Sequence, residues 1–446
     1  MTLDSKAIQA ALLLLVACAA GGGGSHAGLA NLVVELTALV LLAVNGHLVL
    51  HFFKSAPRAL IALVCASLLL PLLQSVPLPP AVWQSLPGRD LVTQSYGLIG
   101  RSDAWFPMSL AVERTLLAFF AMLVPLAMLI LVWGMDGSQQ RPLLVLLLII
   151  GGGTVLLGAQ QLVTGNQWLI PYDQAVGTPD LQGIFANRNA TGVFFDIILC
   201  VLVGILPRGQ VQPKWLVFGV AMALLLILGL VLTRSRSSMV LAIVPFAFAL
   251  FRFTGLRMGK RLSRGYIVGA VVALAVLAGG GMLAASNVRV QKSLVRFERV
   301  TDDPRWGIWS DSMNSIKRFW PLGSGIGSFA EINEIDESLE NLSPTVAPRV
   351  HNDFLEPVLE SGAVGMLLLG AWCLFLTIAM VRALRIGRAQ QAGVCVLLII
   401  ALQSISDYPL RNLTLLCIAG FMLALIIHPS CQAGENRPRA VSRSKQ

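Results

Sequence analysis

Apolar runs long enough to cross a lipid bilayer recur along this entire chain. A bilayer core of ~30 Å needs about 20 helical residues. Runs of that order stand at 8–24, 29–50, 59–74, 108–133, 142–163, 190–206, 215–233, 238–253, 266–285, 361–381, 392–406 and 412–428. Lipid offers the backbone no hydrogen-bond partners, so continuous apolar runs of this kind resolve as helices. The expected fold is an all-α integral membrane protein with about twelve transmembrane helices. Charged residues make up only 13% of the 446, against roughly a quarter in soluble domains, so almost nothing is left for a soluble domain. The runs divide the chain into nine helices over 1–285, a long and partly helical loop over 286–360, three helices over 361–428, and a basic tail over 429–446.

The formal net charge is +10. A nucleic-acid partner would call for Lys and Arg gathered on one soluble face. Here they fall on alternate loops between apolar runs, which is the positive-inside pattern, so no nucleic-acid partner is expected. With the N-terminus in the cytoplasm, the cytoplasmic segments hold eighteen Lys and Arg, against three acids at Asp4, Asp136 and Glu435. Both termini are therefore expected in the cytoplasm. The opposite side then carries the three sizeable loops, at 75–107, 164–189 and 286–360. Leu15 to Cys18 resembles a lipoprotein cleavage box, but only Lys6 precedes it, and the first run reads better as a membrane helix. Seven Cys lie in apolar runs or just beyond the last one. They form neither a disulfide framework nor a zinc spacing. Glu35 and Asp196 fall inside helices, where ionisable groups pair with neighbours or line a cavity.

Of five His, only His351 lies in a long outer loop. It opens His351-Asn352-Asp353-Phe354-Leu355-Glu356, which runs on to Gly362 and Gly365. If that stretch is one helix, both glycines lie within about 40° of the His351 face. They would form a stripe that another helix or a lipid tail could approach closely. Imidazole changes charge near neutral pH and can take a proton from a hydroxyl. Arg234 and Arg236 stand where the seventh apolar run gives way to the eighth, within Thr233 to Ser238. Serine capping with the arginines reaching for lipid headgroups is one account of them. The other is a phosphate clamp, because guanidinium forks suit pyrophosphate oxygens. Asn187-Arg188-Asn189 enters the sixth run, with Asn189 the expected N-cap. Asp302 to Trp309 places Arg305 in the long loop, and Asp407-Tyr408-Pro409-Leu410-Arg411 forms a tight outer turn. The pair Asp302-Asp303 is a weak metal candidate beside the ordinary reading as solvated surface, and no metal is expected. Five arginines and one histidine thus gather on one face of one membrane.

The residues resemble the O-antigen ligase and polymerase superfamily. The resemblance rests on Ser235-Arg236 at an outer helix end, and on His351-Asn352 followed nine residues later by Gly362 and Gly365. Arg305 to Trp309, followed by Pro321 to Phe329, is similar to that family's long periplasmic loop. Asn187-Arg188-Asn189 and the Asp407-Tyr408-Pro409 turn are similar as well. The resemblance covers roughly 180–425; before that, the chain is similar only in being hydrophobic. It implies a GT-C-type glycosyltransferase of the bacterial inner membrane with a periplasmic active site. Such an enzyme is inverting, needs no metal or other cofactor, and takes a glycan from undecaprenyl diphosphate. The acceptor would be a sugar hydroxyl on lipid A-core for a ligase, in lipopolysaccharide synthesis, or another lipid-linked glycan for a polymerase. Related members glycosylate proteins. On this reading His351 is the base, and Arg236 and Arg305 hold the diphosphate. Arg188, Asn187, Asn189, Arg234, Asn352, Asp407 and Arg411 complete the substrate site, with the lipid tail near the glycine stripe. The spacing after His351 leans towards ligase. A lipid-linked glycan transporter is the rival from another class, and it would place its functional charges nearer the midplane.

Overall fold

The computed structural model describes residues 5–206, 213–254, 303–342 and 347–427. Helix α1 (Ser5–Ala20) passes through a 3₁₀ turn (Gly21–His26) into α2 (Gly28–Val44) and α3 (Gly46–Ser55). Then come α4 (Arg58–Gln74), the short α5 (Pro80–Trp83) and α6 (Asp90–Leu98). The chain continues with α7 (Val112–Val132), α8 (Gly137–Val163), α9 (Arg188–Ile205), α10 (Pro213–Thr233), α11 (Arg236–Leu241) and α12 (Ile243–Thr254). After residue 302 follow α13 (Arg305–Phe319), α14 (Phe329–Asp336), α15 (Leu355–Ala383), α16 (Arg388–Gln403) and α17 (Leu413–Ile427). The described strands are two, Pro77–Leu78 and Phe106–Pro107, paired antiparallel with Leu78 opposite Phe106. They close the loop at 75–107 on itself.

Among the described residues, six helices are long and apolar enough to cross a membrane, or seven if α2 and α3 count as one span bent by 79°. Three shorter apolar helices, α4, α16 and α17, complete the bundle. The chain is a multi-pass membrane protein, but the expected count of twelve spans is not reached in what is described. The run at 238–253 is divided between α11 and α12. The run at 266–285, Asp302 and the tail at 429–446 lie outside the described residues.

The bundle is built around α9. From Thr191 to Gly204 every side chain of this helix is buried, as expected of a helix that is apolar all round. It packs on α8, α10, α12 and α16, while α7 packs on α1, α2, α4 and α17. Asp196 is fully buried within α9, and neither carboxyl oxygen has a hydrogen-bond partner among the described residues. The outer surfaces of α10 and α15 are the reverse. Val217, Val220 and Leu228 of α10, and Leu367, Leu374 and Val381 of α15, stand exposed. Apolar patches on this scale mark contact with lipid rather than water.

One expectation about α15 needs correcting. His351 and Gly362 do not share a helix. His351 has φ 57°, and α15 begins four residues later and breaks at Gly362, where φ is 55°. The glycine is required by a backbone contact. A Cβ there would lie 2.0 Å from the carbonyl oxygen of Pro321, closer than atoms can approach. The loop from Pro321 to Gly327 fills the break: Ala363 N donates to Pro321 O at 2.8 Å, and Gly325 N donates to Glu360 O at 2.8 Å. Gln74 at the end of α4 joins in, its Nε2 donating to Glu360 O at 3.1 Å and its Oε1 accepting from Ile326 N at 2.9 Å. The space beside Gly362 is thus taken by the protein's own loop, and not by a lipid tail.

Candidate active site

Eight of the ten sequence-derived candidates converge where α9, α11, α13 and α15 begin and the turn between α16 and α17 returns. Local capping sets each element. Asn187, not Asn189, is the N-cap of α9, its Oδ1 accepting from Asn189 N at 2.8 Å. This frees the Asn189 side chain to bridge two elements. Its Nδ2 donates to Asp407 Oδ2 at 2.8 Å, and its Oδ1 accepts from Ser235 Oγ at 2.9 Å. Ser235 in turn caps α11, and so aims Arg236.

Asp407 is the hub. Besides Asn189 it takes Gln403 Nε2 at 3.3 Å and the Tyr408 backbone N at 3.1 Å, and His351 Nδ1 lies 3.2 Å from its Oδ1. The Arg305 guanidinium is 4.0 Å from its other oxygen. Burial alone would push the Asp407 carboxyl up. The hydrogen bond and charge of His351, together with Arg305 and Asn189, outweigh it and hold the group below the usual carboxylate range. A charged Asp407 fixes the proton of a neutral His351 on Nδ1, leaving Nε2 as the acceptor. Tyr408 packs edge-on to the imidazole with ring centres 4.8 Å apart. Burial, then the charge of Asp407, pushes its phenol up to about 12, so it stays a neutral hydroxyl.

A second acid organises the arginines. Asp303 Oδ2 lies 3.2 Å from Arg236 Nη2 and 3.9 Å from Arg305 Nη1, and its Oδ1 accepts from Arg305 N at 3.2 Å. Two guanidinium groups thus share one carboxylate, and Arg305 reaches Asp407 as well. The side chains of Arg188, Arg236, Arg305 and His351 remain 33%, 31%, 23% and 23% exposed. These are the groups that can reach a ligand. Arg188 is held by Asp180 at 2.7 Å, and the same acid takes Arg234 at 3.1 Å. Asp180 carried no sequence signal beyond being an acid in an outer loop. Arg234 has φ 56°, like His351 a non-glycine residue in the left-handed region. Strained backbone of this kind concentrates at functional sites.

Two candidates turn out to serve neighbouring structure. Asn352 Oδ1 accepts from the backbone N–H groups of Phe354 and Leu355 at 2.9 and 3.0 Å, capping the entry to α15. Arg411 is not presented to a phosphate. It lies 3.1 Å from Glu356, 3.3 Å from Glu360 and 4.0 Å from Asp353, with Arg349 also 2.9 Å from Glu356. The acids raise the guanidinium above its ordinary value against the effect of burial. This cluster clamps the turn after α16 to the start of α15. Ser404 Oγ and Leu410 N both donate to Asp353 Oδ2, at 3.0 and 3.1 Å. Burial, with Arg411 opposing and Glu356 adding, pushes Asp353 up to about 7.

The arrangement offers a histidine base backed by a carboxylate, and beside it an arginine pair suited to an anionic leaving group. The comparison with known families bears on the same elements. Residues 220–370 match the O-antigen ligase family. The matched stretch takes in Arg234, Arg236, Arg305, His351 and Asn352, and it supports the resemblance to the O-antigen ligase and polymerase superfamily. No curated protein matches the chain.

Proposed function

We propose that the protein is a membrane glycosyltransferase that moves a glycan from undecaprenyl diphosphate to a sugar hydroxyl on lipid A-core. The observation that carries this reading is the continuous network His351–Asp407–Arg305–Asp303–Arg236 at one end of a membrane bundle. In the proposed reaction the acceptor oxygen attacks the anomeric carbon and the bond to the diphosphate oxygen breaks. The electron pair leaves with the diphosphate. Arg236 and Arg305, with Arg188 assisting, stabilise the growing negative charge from fixed positions, so little reorganisation is needed as charge develops. The acceptor proton passes to His351 Nε2, and Asp407 stabilises the resulting imidazolium, as a buried carboxylate does in hydrolase triads. A single displacement of this kind inverts the anomeric centre through an oxocarbenium-like transition state. None of these steps draws on a cofactor. Gathering of the charges at one end of the bundle favours transfer over transport. The periplasmic placement follows from the charge count of the loops.

Purified protein supplied with an undecaprenyl-diphosphate-linked glycan and lipid A-core should yield glycan-extended lipid A-core, with and without chelator. Absence of transfer under both conditions would overturn the reading. Extension of the lipid-linked glycan instead of lipid A-core would make the protein a polymerase.

A further inference from the structure

Helix α8 carries an exposed apolar stripe that does not end with the helix. Val145, Ile149, Leu156 and Val163 recur at helical spacing along one side, and all four stand exposed. The helix has 27 residues and so rises about 40 Å. A hydrocarbon core is ~30 Å thick, so even at a tilt of about 40° both ends of α8 reach its boundaries. Val163 therefore stands at the boundary on the side of the active site, because the chain runs on from it to Asp180 and Arg188. Just past that boundary, Trp168 and Leu169 are 57% and 50% exposed.

The tip formed by these two residues is held by side chains on three sides. Gln161 Nε2 donates to Leu169 O at 2.8 Å, the Tyr172 hydroxyl accepts from Gly22 N at 3.0 Å, and Asn166 Nδ2 donates to Asp180 O at 2.8 Å. Leu169 has φ 55°, a left-handed conformation that suits glycine and is rare for a bulky side chain. The loop thus accepts backbone strain at the very residue that presents an apolar side chain outwards.

Composition and position indicate what covers the tip. Residues 164–179 hold no Lys or Arg and one acid, Asp173, so a strongly charged partner finds little complementary charge there. From Pro142 to Tyr172 no charged side chain interrupts the sequence, and the lipid-facing stripe of α8 leads directly into the tip. Trp is enriched where hydrocarbon meets headgroups, since its ring is apolar and its N–H finds polar partners there. The same loop ends in Asp180, the acid that holds Arg188 and Arg234. We propose that Trp168 and Leu169 dock in the lipid leaflet on the side of the active site, and that this docking sets the depth of Asp180 and its arginines at the headgroup level. The depth role rests on the transfer reading, in which a lipid-borne diphosphate meets Arg188. The docking itself does not.

Fluorescence of the full chain in phosphatidylcholine nanodiscs tests the docking. The emission of wild type minus that of Trp168→Phe belongs to Trp168. Lipid brominated on the upper acyl chain should lower this difference at least twofold, and aqueous iodide should leave it nearly unchanged. Quenching by iodide without quenching by bromolipid places the tip in water and overturns the proposal. Shielding from both places a second copy of the chain on the tip and overturns it equally. If Trp168→Phe fails to fold, Leu169→Trp read against wild type repeats the test one position on. For the depth role, Trp168→Glu and Leu169→Glu should each lower kcat/KM for the undecaprenyl-diphosphate-linked glycan at least fivefold, with melting temperature unchanged and Trp168→Phe within twofold of wild type. Unchanged kcat/KM in both glutamate variants overturns that role. A wild-type protein that shows bromolipid quenching but transfers nothing would sink the transfer reading and leave the docking standing.

Discussion

His351 acts in the proposed reaction only as far as Asp407 lets it, and the two residues lie 56 positions apart in the chain. His351→Ala should lower kcat by ~10²–10⁴, the usual contribution of a positioned base, in protein whose melting temperature is unchanged. Asp407→Asn should also lower kcat, because an amide cannot stabilise the imidazolium. Full transfer by either variant in a steady-state assay would remove the base from the mechanism. Arg236→Gln and Arg305→Gln should each cost ~10²–10³ in kcat, the scale of losing one fixed transition-state donor. Arg411→Gln should instead act through stability, since its partners are three carboxylates of the protein itself. Asp353 carries a pH dependence of opposite sign to most acids. Its carboxyl is raised to about 7, so between the ordinary carboxylate range and that value the folded protein holds a proton the unfolded chain has released. This site's stabilising contribution is complete below that window and is lost as pH rises through about 7. Asp353→Asn should flatten the fall in melting temperature across the window, and an unaltered slope would contradict the assignment. His351, Arg236 and Arg305 were legible because few charged side chains interrupt so apolar a sequence. Asp180 was not, because an acid in an outer loop looks the same whether or not two arginines fold onto it.

At the scale of elements, breaks matter more than the helices they interrupt. The break in α15 at Gly362 receives the Pro321–Gly327 loop and thereby ties the long outer segment to α4 and α15. Gly362→Ala meets both a backbone oxygen at 2.0 Å and a left-handed φ. The strained dihedral alone costs ~1–3 kcal/mol, and the contact adds to it. The variant should melt markedly lower in detergent than Gly370→Ala, where a Cβ on the same helix meets open space, and equal melting would show that the loop yields freely. Gly362 and Gly365 were both visible in the sequence, but the reading of a smooth stripe failed. Glycine spacing says that something comes close, and only the fold says that the visitor is Pro321 rather than lipid. The cap of α9 was misplaced by two residues for a related reason. Asn187 and Asn189 are equally good caps by type, and the choice falls to Asn187 because Asp407 and Ser235 engage the other.

For the whole molecule, the loop charges predict a definite sidedness. A membrane-impermeant maleimide should label Leu339→Cys, at a position 86% exposed in the long loop, in cells whose outer membrane alone is permeabilised. Lys54→Cys should react only after lysis. The reverse pattern would invert the protein and move its site to the cytoplasm. Class and composition were legible throughout, because lipid tolerates only long, continuous apolar helices and so writes them plainly into the chain. The number of spans was less so, since an apolar run does not say whether it stays one helix, as α8 does, or breaks, as at Asn45 and Ala242. By itself the sequence determined a multi-pass membrane protein with arginines and one histidine on a common side. Tertiary structure alone decided which of those charges neutralise one another. Ion pairing falls off over a few ångströms, and residues separated by tens or hundreds of positions reach that distance only when the helices pack.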